Sequence, residues 1–212
     1  MADIKKGKFI AVDGIDGCGK GELVKRLGNY LFGANKKHHI LLTREPYISK
    51  YHDEIRRLLK ETKSPGKNKE RLTELYVSDR KVHAQWIEKE IKAGHIVISD
   101  RYKYSTLAYQ WAQGVPLKNL IEMHKGVLAP DLTLIVDVTV DVALKRADTD
   151  RRRKFKEVFE RDEFVPFQEK LRKNYLALQK LLPEENIIII DGLGTREEVF
   201  EEAKSFIDKI FE

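Results

Sequence analysis

A short apolar run, Phe9-Ile10-Ala11-Val12, passes directly into Asp13-Gly14-Ile15-Asp16-Gly17-Cys18-Gly19-Lys20, and Leu23, Val24, Leu27 and Leu31 follow at helical spacing. This order restricts the chain more than any other feature. Glycines let the loop curl until backbone N–H groups point inward at one centre. A helix opening at Lys20 adds its positive N-terminal end, and Lys20 adds a mobile charge. A strand, a G-x-x-x-x-G-K loop and a helix, in this order, cradle the phosphates of a nucleoside triphosphate. The nucleotide-contacting stretch is therefore read as Gly14, Ile15, Asp16, Gly17, Cys18, Gly19, Lys20, Gly21 and Glu22. The usual Ser or Thr after the lysine, a ligand to magnesium, is replaced by Gly21. A glycine offers the metal no side chain, so phosphate oxygens, water and a carboxylate elsewhere must hold it. Cys18 is the only cysteine and has no partner thiol, which makes it a small residue in a tight loop.

Four further apolar runs recur along the chain: Ile40-Leu41-Leu42, Ile96-Val97-Ile98, Leu132-Thr133-Leu134-Ile135-Val136 and Ile187-Ile188-Ile189-Ile190. Short continuous runs of this kind are expected of strands buried on both faces of a parallel sheet. Helical patterns lie between them, at Lys20 to Leu31, Leu72 to Ala93, Phe167 to Leu182 and Glu197 to Phe211. The alternation predicts an α/β fold, a doubly wound parallel sheet of about five strands. Ligands in such sheets sit at the carboxyl ends of the strands. Asp13 to Lys20, Thr43-Arg44-Glu45-Pro46 and Asp100-Arg101-Tyr102 all fall there. The 212 residues suit one domain, 1–212, with a polar and basic lid at about 147–160. Lys63 to Asn68 reads as a polar turn between two helices, and His38 and His39 as exposed loop residues.

The net charge of +6 raises the question of nucleic acid. The basic residues are dispersed and interleaved with Asp and Glu, which fits small phosphate ligands rather than a polyanion. No segment approaches the roughly 20 apolar residues of a membrane helix, and the start lacks the pattern of a secretory signal. The expectation is a cytoplasmic protein with no nucleic-acid or membrane partner.

Taken together with Asp13-Gly14-Ile15-Asp16-Gly17, the segments Thr43-Arg44-Glu45-Pro46, Tyr76-Val77-Ser78-Asp79-Arg80, Asp100-Arg101-Tyr102, Ser105, Ala108-Tyr109-Gln110, Pro130-Asp131-Leu132-Thr133, Asp137 and Leu144-Lys145-Arg146 resemble the thymidylate kinase family. The match runs in order over nearly the whole chain. The resemblance implies a P-loop kinase fold and transfer of the γ-phosphoryl of ATP to dTMP, with Mg2+ as cofactor and a homodimer as the assembly. It also implies the site. Lys20, Arg101 and lid arginines among Arg151, Arg152 and Arg153 act in transfer; Arg146 packs on adenine, with Asp191 to Thr195 forming the other wall and Thr195 capping the last helix. Arg44 and Arg101 hold the acceptor phosphate, Asp16 accepts from the sugar 3′-hydroxyl, and Tyr76 stacks on the base. Arg80 meets the base carbonyl edge, while Ser105, Tyr109 and Gln110 line the base and sugar pocket. Asp100 holds the magnesium shell through water. The loop lacks an arginine, which resembles the bacterial arrangement with lid arginines. Two departures stand beside Gly21: Asp13 where glutamate is common, and Tyr76 where phenylalanine is usual. A related kinase for dUMP, UMP or a deoxynucleoside, and a nucleotide binder without catalysis, are the competing readings.

Overall fold

The structure, a computed structural model, describes residues 7–34, 36, 38–64, 66–149 and 164–212. From residue 150 on, the expected lid with Arg151, Arg152 and Arg153 lies outside the described residues. Thirteen elements are described in the order β1 (Phe9–Asp13), α1 (Lys20–Ala34), β2 (Ile40–Arg44), α2 (His52–Glu61), α3 (Lys69–Lys92), β3 (Ile96–Asp100), α4 (Lys103–Ala112), α5 (Leu117–Met123), β4 (Leu132–Asp137), α6 (Val140–Thr149), α7 (Val165–Leu181), β5 (Ile187–Asp191) and α8 (Arg196–Lys209).

The five strands form one sheet in the order β2-β3-β1-β4-β5, every pair parallel. β1 lies at the centre, and all five of its residues are buried. Each such apolar side chain contributes about 1.5–3 kcal/mol by leaving water. The register puts Val12 and Arg44 beside Asp100, and Asp13 beside Ile135. The carboxyl ends of β1, β2 and β3 therefore meet at one edge. The connections leave β1 toward β2 and β3 on one side and toward β4 and β5 on the other, which opens a crevice above β1.

Two strand expectations need correction. β2 is not buried on both faces: Thr43 and Leu41 are half-buried, whereas Leu42 is 49% exposed. As an edge strand it has a neighbour on one side only. β5, the opposite edge, is likewise only partly buried. His38 is also not an exposed loop residue. It is half-buried, with its ring Nδ1 2.6 Å from the Gly94 carbonyl. The long helix α3 begins three residues before the apolar pattern does, at Lys69, and the short α5 was not marked by any periodicity.

Candidate active site

The phosphate loop is shaped by close backbone approach. Gly17 has φ +83°, and a Cβ there would stand 2.1 Å from the Ala143 carbonyl of α6. Only glycine satisfies both constraints. Ile15 turns into the core, 5% exposed. Lys20 is buried at the start of α1, its Nζ 3.2 Å from the Ile15 carbonyl and 3.5 Å from Asp16 Oδ1. Cys18 is buried, and burial raises its thiol pKa, so it stays protonated.

The loop is tied to the end of β3 through Arg101. This residue has φ +75°, a left-handed conformation that costs a non-glycine residue on the order of 1 kcal/mol or more. Its Nη2 donates to Asp16 Oδ1 at 2.5 Å, and its Nη1 to Ser105 Oγ at 2.9 Å. Ser105 Oγ donates in turn to Asp13 Oδ1 at 2.5 Å, and Tyr109 donates its hydroxyl to Asp16 Oδ2 at 2.7 Å. Burial, then the Asp16 charge, holds the Tyr109 hydroxyl well above its ordinary pKa, so it remains a donor. Asp16, Arg101, Ser105 and Tyr109 are thus one connected cluster. Tyr175 of α7 joins it, its hydroxyl 3.0 Å from Ser105 Oγ.

The cleft above β1 has a volume of about 1230 Å³. Its walls include Asp16 to Glu22 at the loop and Arg146, Gly192, Gly194 and Thr195 at one end. At the other end stand Arg44, Tyr76, Arg80, Tyr109 and Gln110, with Asp100, Arg101 and Ser105 between. Arg146 Nη1 donates to the Gly192 carbonyl at 2.9 Å, bridging α6 and the turn after β5. Asp191 stands outside the cleft wall: its Oδ1 accepts from the Leu193 amide at 2.9 Å and shapes that turn. Thr195 caps α8 as expected, its hydroxyl accepting from the Glu198 amide while the Glu198 carboxylate accepts from the Thr195 amide. Arg44 is exposed at the cleft edge with no ion-pair partner among the described residues.

A magnesium ion finds a fitting donor in Asp100. Its Oδ1 is buried with no hydrogen-bond partner, and the carboxylate lines the cleft. A Cβ on Gly21 would lie 3.3 Å from Asp100 Oδ2, so the missing side chain leaves this carboxylate room. Among the described residues no cluster of three or more His, Cys, Asp or Glu is arranged to hold a metal.

Sequence reasoning missed the residues that grip Arg80. Arg80 is 1% exposed, and its guanidinium is gripped by Glu45, by Thr106 Oγ1 at 2.7 Å and by His124 Nε2 at 2.8 Å. His83 joins from α3, its Nδ1 3.1 Å from Glu45 Oε1. Glu45 stood beside Arg44 in the sequence and Thr106 beside Ser105. Nothing marked His124, which comes from the end of α5.

A phosphate loop opening into one cleft that is also lined by Arg44, Arg80 and Arg101, at the carboxyl edge of a parallel sheet, is the arrangement of a P-loop phosphotransferase. The thymidylate kinase family model matches residues 12–203, and the chain belongs to the thymidylate kinase family. A probable thymidylate kinase of Thermococcus kodakarensis is 37% identical over 187 residues, 85% of this chain and 88% of that one. One from Methanococcus maripaludis strain C6 is 37% identical over 210 residues, 96% of each chain. Probable thymidylate kinase 1 of Saccharolobus solfataricus is 32% identical over 202 residues, 95% of this chain and 97% of that one.

Proposed function

We propose that the cleft carries out the family reaction, transfer of the γ-phosphoryl group of ATP to dTMP to give dTDP and ADP, with each residue in the role given below. The observation that carries it is the single cleft, continuous from Arg146 and Gly192 past Lys20 to Tyr76, Arg80 and Gln110. A cleft of this extent supports the reading of a triphosphate site and an acceptor site set end to end.

Lys20 and the loop amides hold the β- and γ-phosphates. Arg44 and Arg101 grip the acceptor phosphate, where the planar guanidinium of each can meet two oxygens. Its ion pair with Asp16 and its hydrogen bond to Ser105 fix the direction of Arg101. Asp16 accepts from the sugar 3′-hydroxyl, and the Tyr109 ring beside it crowds a 2′-hydroxyl. Tyr76, half-buried on α3, stacks on the base. Gln110 Nε2 donates to Gln113, which leaves a buried Gln110 Oε1 without a partner. That acceptor suits the ring N3–H of thymine. Arg146 packs on adenine. Asp100, with Gly21 leaving it room, would hold Mg2+, which would supply neutralisation of phosphate charge. Lid arginines among Arg151, Arg152 and Arg153 stabilise charge in transfer. The acceptor phosphate is already anionic, so no general base or covalent intermediate is required. We also read the enzyme as a cytoplasmic homodimer that binds no nucleic acid. Among the described residues no helix is long and apolar enough to cross a membrane.

An acceptor panel tests the reading. With ATP and magnesium, dTMP should be phosphorylated faster than dUMP, UMP, dCMP or deoxythymidine; absence of turnover with dTMP sinks it.

A further inference from the structure

Arginine has five N–H donors and no acceptor. Four of those of Arg80 are already committed. Nε and Nη2 both donate to Glu45 Oε2, the former at 2.8 Å. Nη1 uses both of its N–H groups, on Thr106 Oγ1 at 2.7 Å and on His124 Nε2 at 2.8 Å. The second N–H of Nη2 has no partner among the described residues. Although buried, Arg80 still lines the cleft. One donor therefore remains for a ligand.

The His124 contact is attractive in only one protonation state. Its Nδ1 lies 2.7 Å from the Leu120 carbonyl, which can only accept, so Nδ1 bears the proton. Nε2 then presents its lone pair to Arg80. A protonated ring would point an N–H at the guanidinium instead. Burial first, and the Arg80 charge second, lower the imidazole pKa to about 3, which keeps the accepting form. Glu45 reaches Arg80 from the end of β2, Thr106 from α4 and His124 from α5. These three directions leave the guanidinium no freedom to turn.

We propose that His124 is a positioning residue for base recognition: with Glu45 and Thr106 it locks Arg80 so that one fixed N–H faces the base. This rests on the reading that Tyr76, Arg80 and Gln110 hold the acceptor base. A single donor that cannot turn or accept matches a ring carbonyl, as in thymine or uracil. Against the amino group of cytosine it sets donor against donor, and both stay unpaired. Without His124, Nη1 loses an acceptor and the guanidinium can swing its free N–H away from a cytosine amino group, so the donor-against-donor penalty shrinks and the preference for a ring carbonyl weakens.

The test compares His124→Leu, which cannot accept, with His124→Gln, whose amide oxygen can. Steady-state kinetics with dTMP and dCMP at saturating ATP supply the readout. His124→Leu should raise KM for dTMP about tenfold, the cost of one hydrogen bond to a charged group, with kcat within about twofold. The preference for dTMP over dCMP in kcat/KM should narrow at least about threefold. His124→Gln should restore both. Equal behaviour of the two variants, or an unchanged KM and base preference in His124→Leu, overturns the proposal. Should His124→Leu not fold, Thr106→Val removes the other acceptor of the same Nη1, and an unchanged base preference there overturns it equally. Wild-type turnover separates the two levels. If wild type rejects dTMP, the base-site reading itself fails; if wild type accepts dTMP and the variants keep its selectivity, only the role of His124 fails.

Discussion

Asp13 ends β1 with its carboxylate accepting from the Tyr102 amide at 2.9 Å, from Ser105 at 2.5 Å and from Tyr175 at 3.2 Å. It is fully buried. Burial raises its pKa from 3.8 to about 6, against the opposing pull of Arg101 and these hydrogen bonds. The folded protein thus binds a proton there between pH 4 and 6 that the unfolded chain has released. The associated stability is present in full below pH 3.8 and is lost as pH rises through 6. A shift of this size is worth about 3 kcal/mol. Urea unfolding of wild type and Asp13→Asn should show the variant gaining about that much relative to wild type between pH 4 and 7. A difference that stays flat with pH removes the buried-carboxylate account.

Among the elements, the loop after β1 and helix α6 are packed backbone to backbone. Gly17 meets Ala143 with no room for a methyl group. Gly17→Ala forces the loop off α6 or α6 off the sheet, and it also imposes a strained φ. Both effects are outside the range of ordinary surface substitutions, so stability should fall by about 2 kcal/mol or more, with a lower Tm. Binding of ATP, followed by fluorescence of a labelled analogue, should weaken with it. Unchanged melting and nucleotide affinity would show that the contact is easily relaxed. The same packing explains why Arg146 can bridge from α6 to the turn after β5: α6 is seated at a fixed height against the loop.

For the whole molecule, the outer surface of α3 carries an apolar area that the described residues leave uncovered. Val82 is 39% exposed, and Trp86, four residues on, is only partly buried. Tyr47 stacks over Trp86 at 6.0 Å between centroids, and the adjacent Ile48 is 87% exposed. Residues four apart share a helix face, so these side chains form one patch. A homodimer burying this face fits the expected assembly. Sedimentation velocity should find a dimer for wild type and a monomer for Ile48→Asp combined with Val82→Asp; a dimer that survives the double substitution places the interface elsewhere.

The phosphate loop and the succession of five strands along the chain were legible in the amino-acid order because each is a local pattern. A glycine spacing or an apolar run carries its chemistry within a few residues. Gly21 showed in the same way that the position after Lys20 offers no hydroxyl. Whether a strand is central or at an edge is settled by which neighbours it meets, so β1 and β2 read alike in sequence and differ in burial. The grip on Arg80 is of the same kind. Glu45, Thr106 and His124 are separated by up to 79 positions and converge only because the end of β2, the first turn of α4 and the end of α5 meet at one place. No local periodicity records that convergence. The sequence by itself determined that phosphates bind and where the loop lies; the tertiary structure alone decided which donors and acceptors remain free in the cleft, because hydrogen-bond capacity is consumed by neighbours distant in the chain.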